Sequence, residues 1–435
     1  MERTFIEIKQ NIVSHILRLW ANKVLILFFL TFILLIFLRF YQISTRSPFG
    51  SDQVDNAWAA KNIIVDHNMP LLGMVAKQNS GIFIGPAYYY MIAFSYWIFD
   101  LDPIASGVFA GVTSIFTFLI LFYVTKKIFS AEVALIAVFI NTVAFSGIIF
   151  DRVQWPVNFI PAISLIIFYS IYKIIIGKPK YTILLAIALG FSFHIHFTAI
   201  YFPIMIFLSV IFFPKTKEML KYGLIALPIF SVWLIPSIIV FFQNQQYGSS
   251  VLQYGNSYYH GFHLRRVLQL TNDALIQFEP FFTFSILKPL KFILVPLFIF
   301  VYLFKSLSKE KLALCYLMII WFVIPWFVLS TYSGEISDYY FVANRFIVLV
   351  IIAYLLAKIF LLKNWIPKII LSCFLAYYAV FNISKFVSYR DGGVYERSKK
   401  VLEAIKEGRE IGFYDRAPES YLYYYHMRKK GKEVY

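Results

Sequence analysis

The chain has 435 residues, of which 60% are hydrophobic and 20% aromatic against only 14% charged, a composition far from that of soluble globular proteins. It excludes a soluble Rossmann enzyme, a disordered tail and a nucleic-acid binder, and it makes the chain an integral membrane protein whose apolar residues fill many spans. The formal net charge of +17, which on a soluble protein would point to an acidic partner, is here a matter of topology.

Apolar runs long enough to cross a bilayer, about 17 to 25 residues as helix, fall at 24–43, 104–125, 131–150, 157–176, 181–198, 199–213, 222–242, 289–304, 312–330, 341–362 and 365–387. The expected fold is therefore an all-α polytopic membrane protein of about eleven transmembrane helices. The first run lacks a small-residue cleavage site after it and reads as a retained span. A shorter run at 85–99, GPAYYYMIAFSYWIF, carries the Tyr and Trp that favour the water–lipid boundary and is expected to be an interfacial helix. Cys315 and Cys373 lie inside apolar runs with no ligand-type neighbours, so neither a disulfide framework nor a zinc site follows.

The span count can be tested by where the lysines fall, because one span more or less reverses every later loop. With eleven, Lys126 and Lys127, Lys173 to Lys180, Lys215 to Lys221, Lys305 to Lys311 and Lys358 to Lys368 all lie on the side of the N-terminus. That side is cytoplasmic by the positive-inside rule, and the C-terminus is extracytoplasmic. The substantial polar segments then gather outside: the loops 44–103 and 243–288, within a membrane domain 1–387, and a tail 388–435. Loops of that length usually carry function. The tail has a helical pattern at 396–408, a strand-like IGFYD and a Tyr-rich helical stretch at 419–427, so a small α/β segment packed on the outer loops is expected.

The first outer loop opens with SPFGSDQVDNAWAAKNIIVD at 47–66. Read as a helix from Ser51, it puts Val54, Ala57, Trp58, Ile64 and Val65 on one face. Asp52, Asp55, Asn56, Asn62 and Asp66 fall on the other. A surface helix with two carboxylates at its start has a simple reading, Asp52 as N-cap and Asp55 complementing the dipole. It also has a chemical one. Two further polar segments, DRVQWPVNFIP at 151–161 and FHIHFTA at 193–199, surface on the same side, and ionisable groups at such depth default to function.

Three features together resemble the GT-C superfamily of polytopic glycosyltransferases, specifically the glycosyltransferase family 39 type that includes protein O-mannosyltransferases and the lipid A aminoarabinose transferase. They are the acid after the first span, the Gly85-Pro86-aromatic run opening an interfacial helix, and the Asp151/Arg152 motif before the fourth span. The resemblance covers roughly residues 24 to 350. It implies a GT-C-like first outer loop, a polyprenyl-phosphate-linked sugar donor used outside the cytoplasm, and Asp52 as the catalytic acid. The family often has Glu beside that acid, where this chain has Gln53, with Asp55 nearby to compensate. The aminoarabinose-transferase type carries Lys where this chain has Gly85, so phosphate binding must come from elsewhere. By the same resemblance Arg265 and Arg266 are the first candidates to meet the leaving phosphate, and Tyr339, Tyr340 and Arg345 of SDYYFVANRF the next. Attraction to lipid headgroups is an equal reading of the Arg pair.

In such a transfer an acceptor hydroxyl attacks the anomeric carbon as phosphate leaves, and one carboxylate suffices to activate it in a single inverting displacement. Asp52 is the expected base, with Asp55 orienting the acceptor or raising its neighbour's pKa. Arg152 is a candidate for phosphate, Trp155 for a sugar face or the aromatic belt, Asn158 for the same loop, and His196 for phosphate or sugar. A divalent metal is compatible with Asp52, Asp55 and Asp151 on one face, and the sequence requires no cofactor. The absence of a phosphate-cradling Gly-rich loop agrees with a lipid-linked donor. A lipid-linked-sugar flippase or transporter, and a surface-polysaccharide polymerase or ligase, are the competing readings. The expected partners are the donor lipid, the bilayer and a glycan, lipid or protein acceptor, with no nucleic acid, and the expected location is the plasma membrane.

Overall fold

Backbone amides have no water to bond in a bilayer, so long apolar runs are driven into helices that satisfy them internally. The structure, a computed structural model, describes residues 23–75, 80–243, 245–259, 261–304, 306–389 and 406–408. In chain order its helices are α1 (Lys23–Phe40), α2 (Ile43–Arg46), α3 (Ser51–Ile64), α4 (Ala87–Ile98), α5 (Ile104–Ile128), α6 (Ala131–Val143), α7 (Phe145–Arg152), α8 (Ile160–Ile175) and α9 (Tyr181–Ser192). There follow α10 (Tyr201–Val210), α11 (Lys217–Gln243), α12 (Gln245–Tyr258), α13 (Leu264–Gln269), α14 (Lys291–Leu303), α15 (Lys309–Ser330), α16 (Arg345–Phe360) and α17 (Ile366–Ser388). No strand occurs among the described residues; the isolated bridges Val75–Phe83 and Tyr259–Tyr332 are the extended pairings recorded.

Eight of the expected spans are helices long and apolar enough to cross a membrane, and a ninth is formed if the bent pair α6–α7 counts as one. The runs 181–198 and 199–213 become the short helices α9 and α10, so the expected eleven is not reached on length. Thr182 near the start of α9 touches Met219 at the start of α11, while Tyr316 near the start of α15 donates to the Leu208 carbonyl near the end of α10. The two therefore run up and down as a pair, and counting both or neither leaves the alternation of ends unchanged. Apart from residues 388–389 and 406–408, the tail expected to be α/β, including its strand at 411–415, lies outside the described residues. The centre is built from α8 and the segment Asp338–Phe360, each 83% buried inside the protein, whereas α11 is 6% buried and presents its side chains outward.

The expected span 131–150 is broken. Ala144 is extended between α6 and α7, which diverge by 72°, and Asn382 of α17 accepts the Phe145 amide at 3.0 Å. Gly147 allows the close approach, since a Cβ there would stand 2.7 Å from the Asn141 carbonyl. The bend frees carbonyls that an unbroken helix would use. Arg39, at the end of α1 and 1% exposed, takes those of Asn141 at 2.9 Å and Thr142 at 2.8 Å. Its guanidinium also pairs with Asp151 of α7 at 2.6 Å. In return Arg152 donates to the carbonyls of Leu38 and Arg39 that end α1, at 3.1 and 2.7 Å. The end of one span and the break of another are thereby held by crossed guanidinium contacts.

Removing one member of a buried pair strands the other charge, at a cost of about 3–5 kcal/mol. Asp151→Ala is expected to lose that much stability, and thermal unfolding of detergent-solubilised protein would measure it. An unchanged midpoint would show that the two carbonyls satisfy Arg39 alone.

Candidate active site

The acid pair sits where the sequence placed it, on α3, but the helix is capped differently from the simple reading. Gly50 occupies the N-cap, and its amide donates to the Gln53 side chain at 2.8 Å. Asp52, in the first turn, is therefore not spent on capping. Val54, Ala57 and Trp58 face the interior as expected, but so does Asn56, which the pattern had put on the open face, and Gln53 is buried beside it. Lys61, 1% exposed, is turned inward to Asp66 at 3.0 Å and lies over the Trp58 ring. The open face is thus narrowed to its first two turns, where Asp52 and Asp55 stay exposed.

Protein crowds both carboxylates enough to strip part of their hydration. That burial raises the pKa of Asp52, and at Asp55 burial raises it further with the like charge of Asp52 added. The helix N-terminus favours the charged form, so desolvation is the stronger effect here. Neither acid makes a hydrogen bond or ion pair among the described residues, in contrast to Asp66, Asp151 and Glu279, whose partners are Lys61, Arg39, and Lys288 with Lys291.

Helix α4 packs along α3 and supplies Tyr88 and Tyr89. Burial raises the pKa of both hydroxyls, that of Tyr89 to about 12, and the charges of Asp52 and Asp55 act on Tyr88 and Tyr89 respectively. Gln53 donates to the Gln154 carbonyl at 2.9 Å, and the Gln154 amide donates to the Tyr88 hydroxyl at 3.3 Å. These bonds fix the acid pair beside the loop that carries Trp155. From there an aromatic wall runs on: the Trp155 and Tyr339 rings are 4.9 Å apart, Tyr339 and His196 5.7 Å, Tyr339 and Tyr340 4.8 Å. His196 caps the short 3-10 turn Phe197–Ile200 through the Thr198 amide, and loss of hydration lowers its pKa.

Trp155, His196, Tyr339 and Tyr340 therefore come together, but other sequence candidates do not join them. Arg152 is committed to the end of α1, and Asn158 donates to the carbonyls of Phe150 and Val153 at 2.8 and 2.7 Å. Arg345 is buried between the Phe150 and Phe281 rings, at 4.4 and 5.1 Å. Arg266 donates to the Gly334 carbonyl at 3.1 Å, while Arg265 is exposed and without a bonded partner among the described residues. Asp151 belongs to Arg39, and no three His, Cys, Asp or Glu side chains converge to hold a metal ion among the described residues. Asp151, which the sequence made compatible with a divalent metal beside Asp52 and Asp55, faces Arg39 instead.

His194 takes the part of a buried, hydrogen-bonded ring, which the sequence suggested for one of the two histidines in FHIHFTA. Its Nδ1 accepts the Ala87 amide at 3.2 Å and its Nε2 donates to the Trp233 carbonyl at 2.7 Å, joining α4, α9 and α11. Its ring fills the space at Gly85, where an added Cβ would stand 2.3 Å from Nδ1. A lysine at that position has no room.

Residues 83–235, from just before α4 into α11, match the family model described as dolichyl-phosphate-mannose-protein mannosyltransferase. The fold is similar to ArnT from Cupriavidus metallidurans bound to undecaprenyl phosphate, at 11% identity and TM-score 0.54 over 94% of this chain and 75% of that one. It is also similar to the archaeal oligosaccharyltransferase AglB from Archaeoglobus fulgidus in complex with an inhibitory peptide and a dolichol-phosphate, at 12% identity and TM-score 0.56. There the alignment covers 94% of this chain and 59% of the archaeal one. No curated protein matches the chain by sequence. The protein is thus a multi-span membrane protein whose fold is similar to that of these two structures.

The Gly85–His194 contact makes a direct test. Gly85→Ala overpacks the ring and should cost about 1–3 kcal/mol. Adding His194→Ala removes the clash, so the double variant should lose less than the sum of the two single losses, as read by thermal unfolding. Additive losses would mean the ring swings aside freely.

Proposed function

We propose that the protein is an inverting glycosyltransferase that moves a sugar from a polyprenyl-phosphate donor to an acceptor on the extracytoplasmic face of the membrane. The observation that carries this reading is the pair Asp52 and Asp55, unneutralised at the start of α3 while the ion-paired acids Asp66, Asp151 and Glu279 are held by bases. Undecaprenyl phosphate and dolichol-phosphate in the two similar structures support a lipid-linked donor. In the reaction Asp52 takes the proton of an acceptor hydroxyl, whose oxygen bonds to the anomeric carbon. The carbon–oxygen bond to phosphate breaks, and its electron pair leaves with the phosphate. Asp55 orients the acceptor.

The sugar is placed against Trp155, Tyr339 and Tyr340, with His196 as a neutral hydrogen-bonding group. Arg265 is the cation we assign to the leaving phosphate, because Arg152 and Arg345 are engaged elsewhere. The membrane domain 1–387 carries the site on its outer loops, and 388–435 is an extracytoplasmic segment of the same chain. The lysine distribution supports a plasma-membrane protein with a cytoplasmic N-terminus and an extracytoplasmic C-terminus.

Membranes holding wild type, Asp52→Asn or Asp55→Asn at equal abundance, supplied with radiolabelled polyprenyl-phosphate sugars, test this reading. Asp52→Asn should lower transfer by about 10²–10⁴-fold, the usual worth of a general base, with donor binding kept; undiminished transfer would remove Asp52 from the chemistry. The wild-type rate should rise with pH through a carboxylate pKa above the ordinary aspartate range, since only the ionised form accepts a proton.

The same shift has a stability consequence. A carboxyl whose folded pKa is raised disfavours folding in its ionised form, so the pair weakens the protein above that range and not below it. The double variant Asp52→Asn/Asp55→Asn should unfold at higher temperature than wild type near neutrality. The difference should vanish in acid, where the wild-type pair is protonated.

A further inference from the structure

A large cavity lies away from the acid pair, at the opposite end of the helices. It has a volume of about 860 Å³, within the range of roughly 300–1,000 Å³ usual for small-molecule sites. Its walls come from the start of α1, the end of α5, the start of α6, the ends of α14 and α16, and Leu375 of α17. Arg39 and Arg345 mark the other ends of α1 and α16, so this cavity and the acid pair lie at opposite ends of the membrane helices.

The lining is apolar in depth, with residues such as Leu27, Val133 and Phe139, and cationic where the helices end, with Lys23, Lys311 and Lys358. Glu132 is the single acid among the lining residues. None of the three lysines is ion-paired among the described residues. Two are positioned by aromatic neighbours: Lys311 donates to the Tyr302 carbonyl at 2.9 Å, and the Lys358 ammonium lies 4.7 Å from the centre of the Tyr354 ring. An apolar chamber between membrane helices with three unneutralised ammonium groups at its rim has the charge of an acidic headgroup site and the interior of an acyl-chain site.

We propose that this cavity binds an anionic glycerophospholipid from the leaflet at that end, its phosphate among Lys23, Lys311 and Lys358 and its chains against α1, α6 and α16. The site would be separate from donor and acceptor, and it does not depend on the transferase reading.

Native mass spectrometry of the full chain in detergent, titrated with phosphatidylglycerol or phosphatidylcholine of the same chains, tests the proposal. Each lysine near a membrane surface contributes about fivefold to the binding of acidic lipid. Phosphatidylglycerol should therefore bind at least tenfold tighter than phosphatidylcholine, and the preference should fall to near unity in K23Q/K311Q/K358Q. Inorganic phosphate should not displace the bound lipid. In the wild type, added salt should weaken phosphatidylglycerol alone, a reading that needs no variant to fold. Asp52→Asn should bind as wild type does, so loss of transfer and loss of this lipid are separate outcomes. Equal affinity for the two lipids, a preference kept in the triple variant, displacement by inorganic phosphate, or a polyprenyl phosphate that binds where phosphatidylglycerol does not, would each overturn it.

Discussion

A guanidinium buried against a broken helix organises this molecule. The bend between α6 and α7 would leave the carbonyls of Asn141 and Thr142 without partners in a region where water cannot supply them, and Arg39 takes both while neutralising itself on Asp151. Because Asp151 is followed by Arg152, which returns two bonds to the end of α1, the break and the span end fix each other. Gln154 and Trp155 follow within three residues of that anchor. The position of the site loop is thus a consequence of how an interrupted helix satisfies its backbone.

From that anchor the candidate chemistry is held by neutral hydrogen bonds, not by further ion pairs. Gln53 spans the gap between the N-cap of α3 and the Gln154 carbonyl, and Gln154 reaches Tyr88. An amide between the two acids can take these structural duties without neutralising either carboxylate. This division leaves Asp52 and Asp55 unpaired among the described residues and open, while Lys61 is drawn away from them to Asp66.

Much of the fold was legible because bilayer thickness imposes a length on apolar runs, and α1, α5, α8, α11, α15, α16 and α17 lie close to where hydropathy put them. The break at Ala144 was not, since no proline or glycine occupies that position and the cause is a side chain of α17 arriving from 237 residues away. At the site, helical spacing located the acid pair but misread its neighbours. Asn56 has a polar side chain, yet it is fully buried where α3 packs into the protein. Arg152, Asn158 and Arg345 looked available because their backbone and aromatic partners are unreadable along the chain. For His194 the sequence could suggest only a buried ring, because the space it fills is that of a missing side chain at Gly85.

The pairing of Arg39 with Asp151 also sets an order on biosynthesis. The two residues are 112 positions apart, so the first span enters the bilayer well before its acid has been made. Arg39 lies at the end of that span, where a long side chain can keep its charge in the headgroup layer while its stem stays in hydrocarbon. It can withdraw into the protein only once α6 and α7 arrive with two carbonyls and a carboxylate. Until then the first helix can pack on α5 through Phe28 and Phe32, but its Arg39 end waits for the segment that carries the site loop.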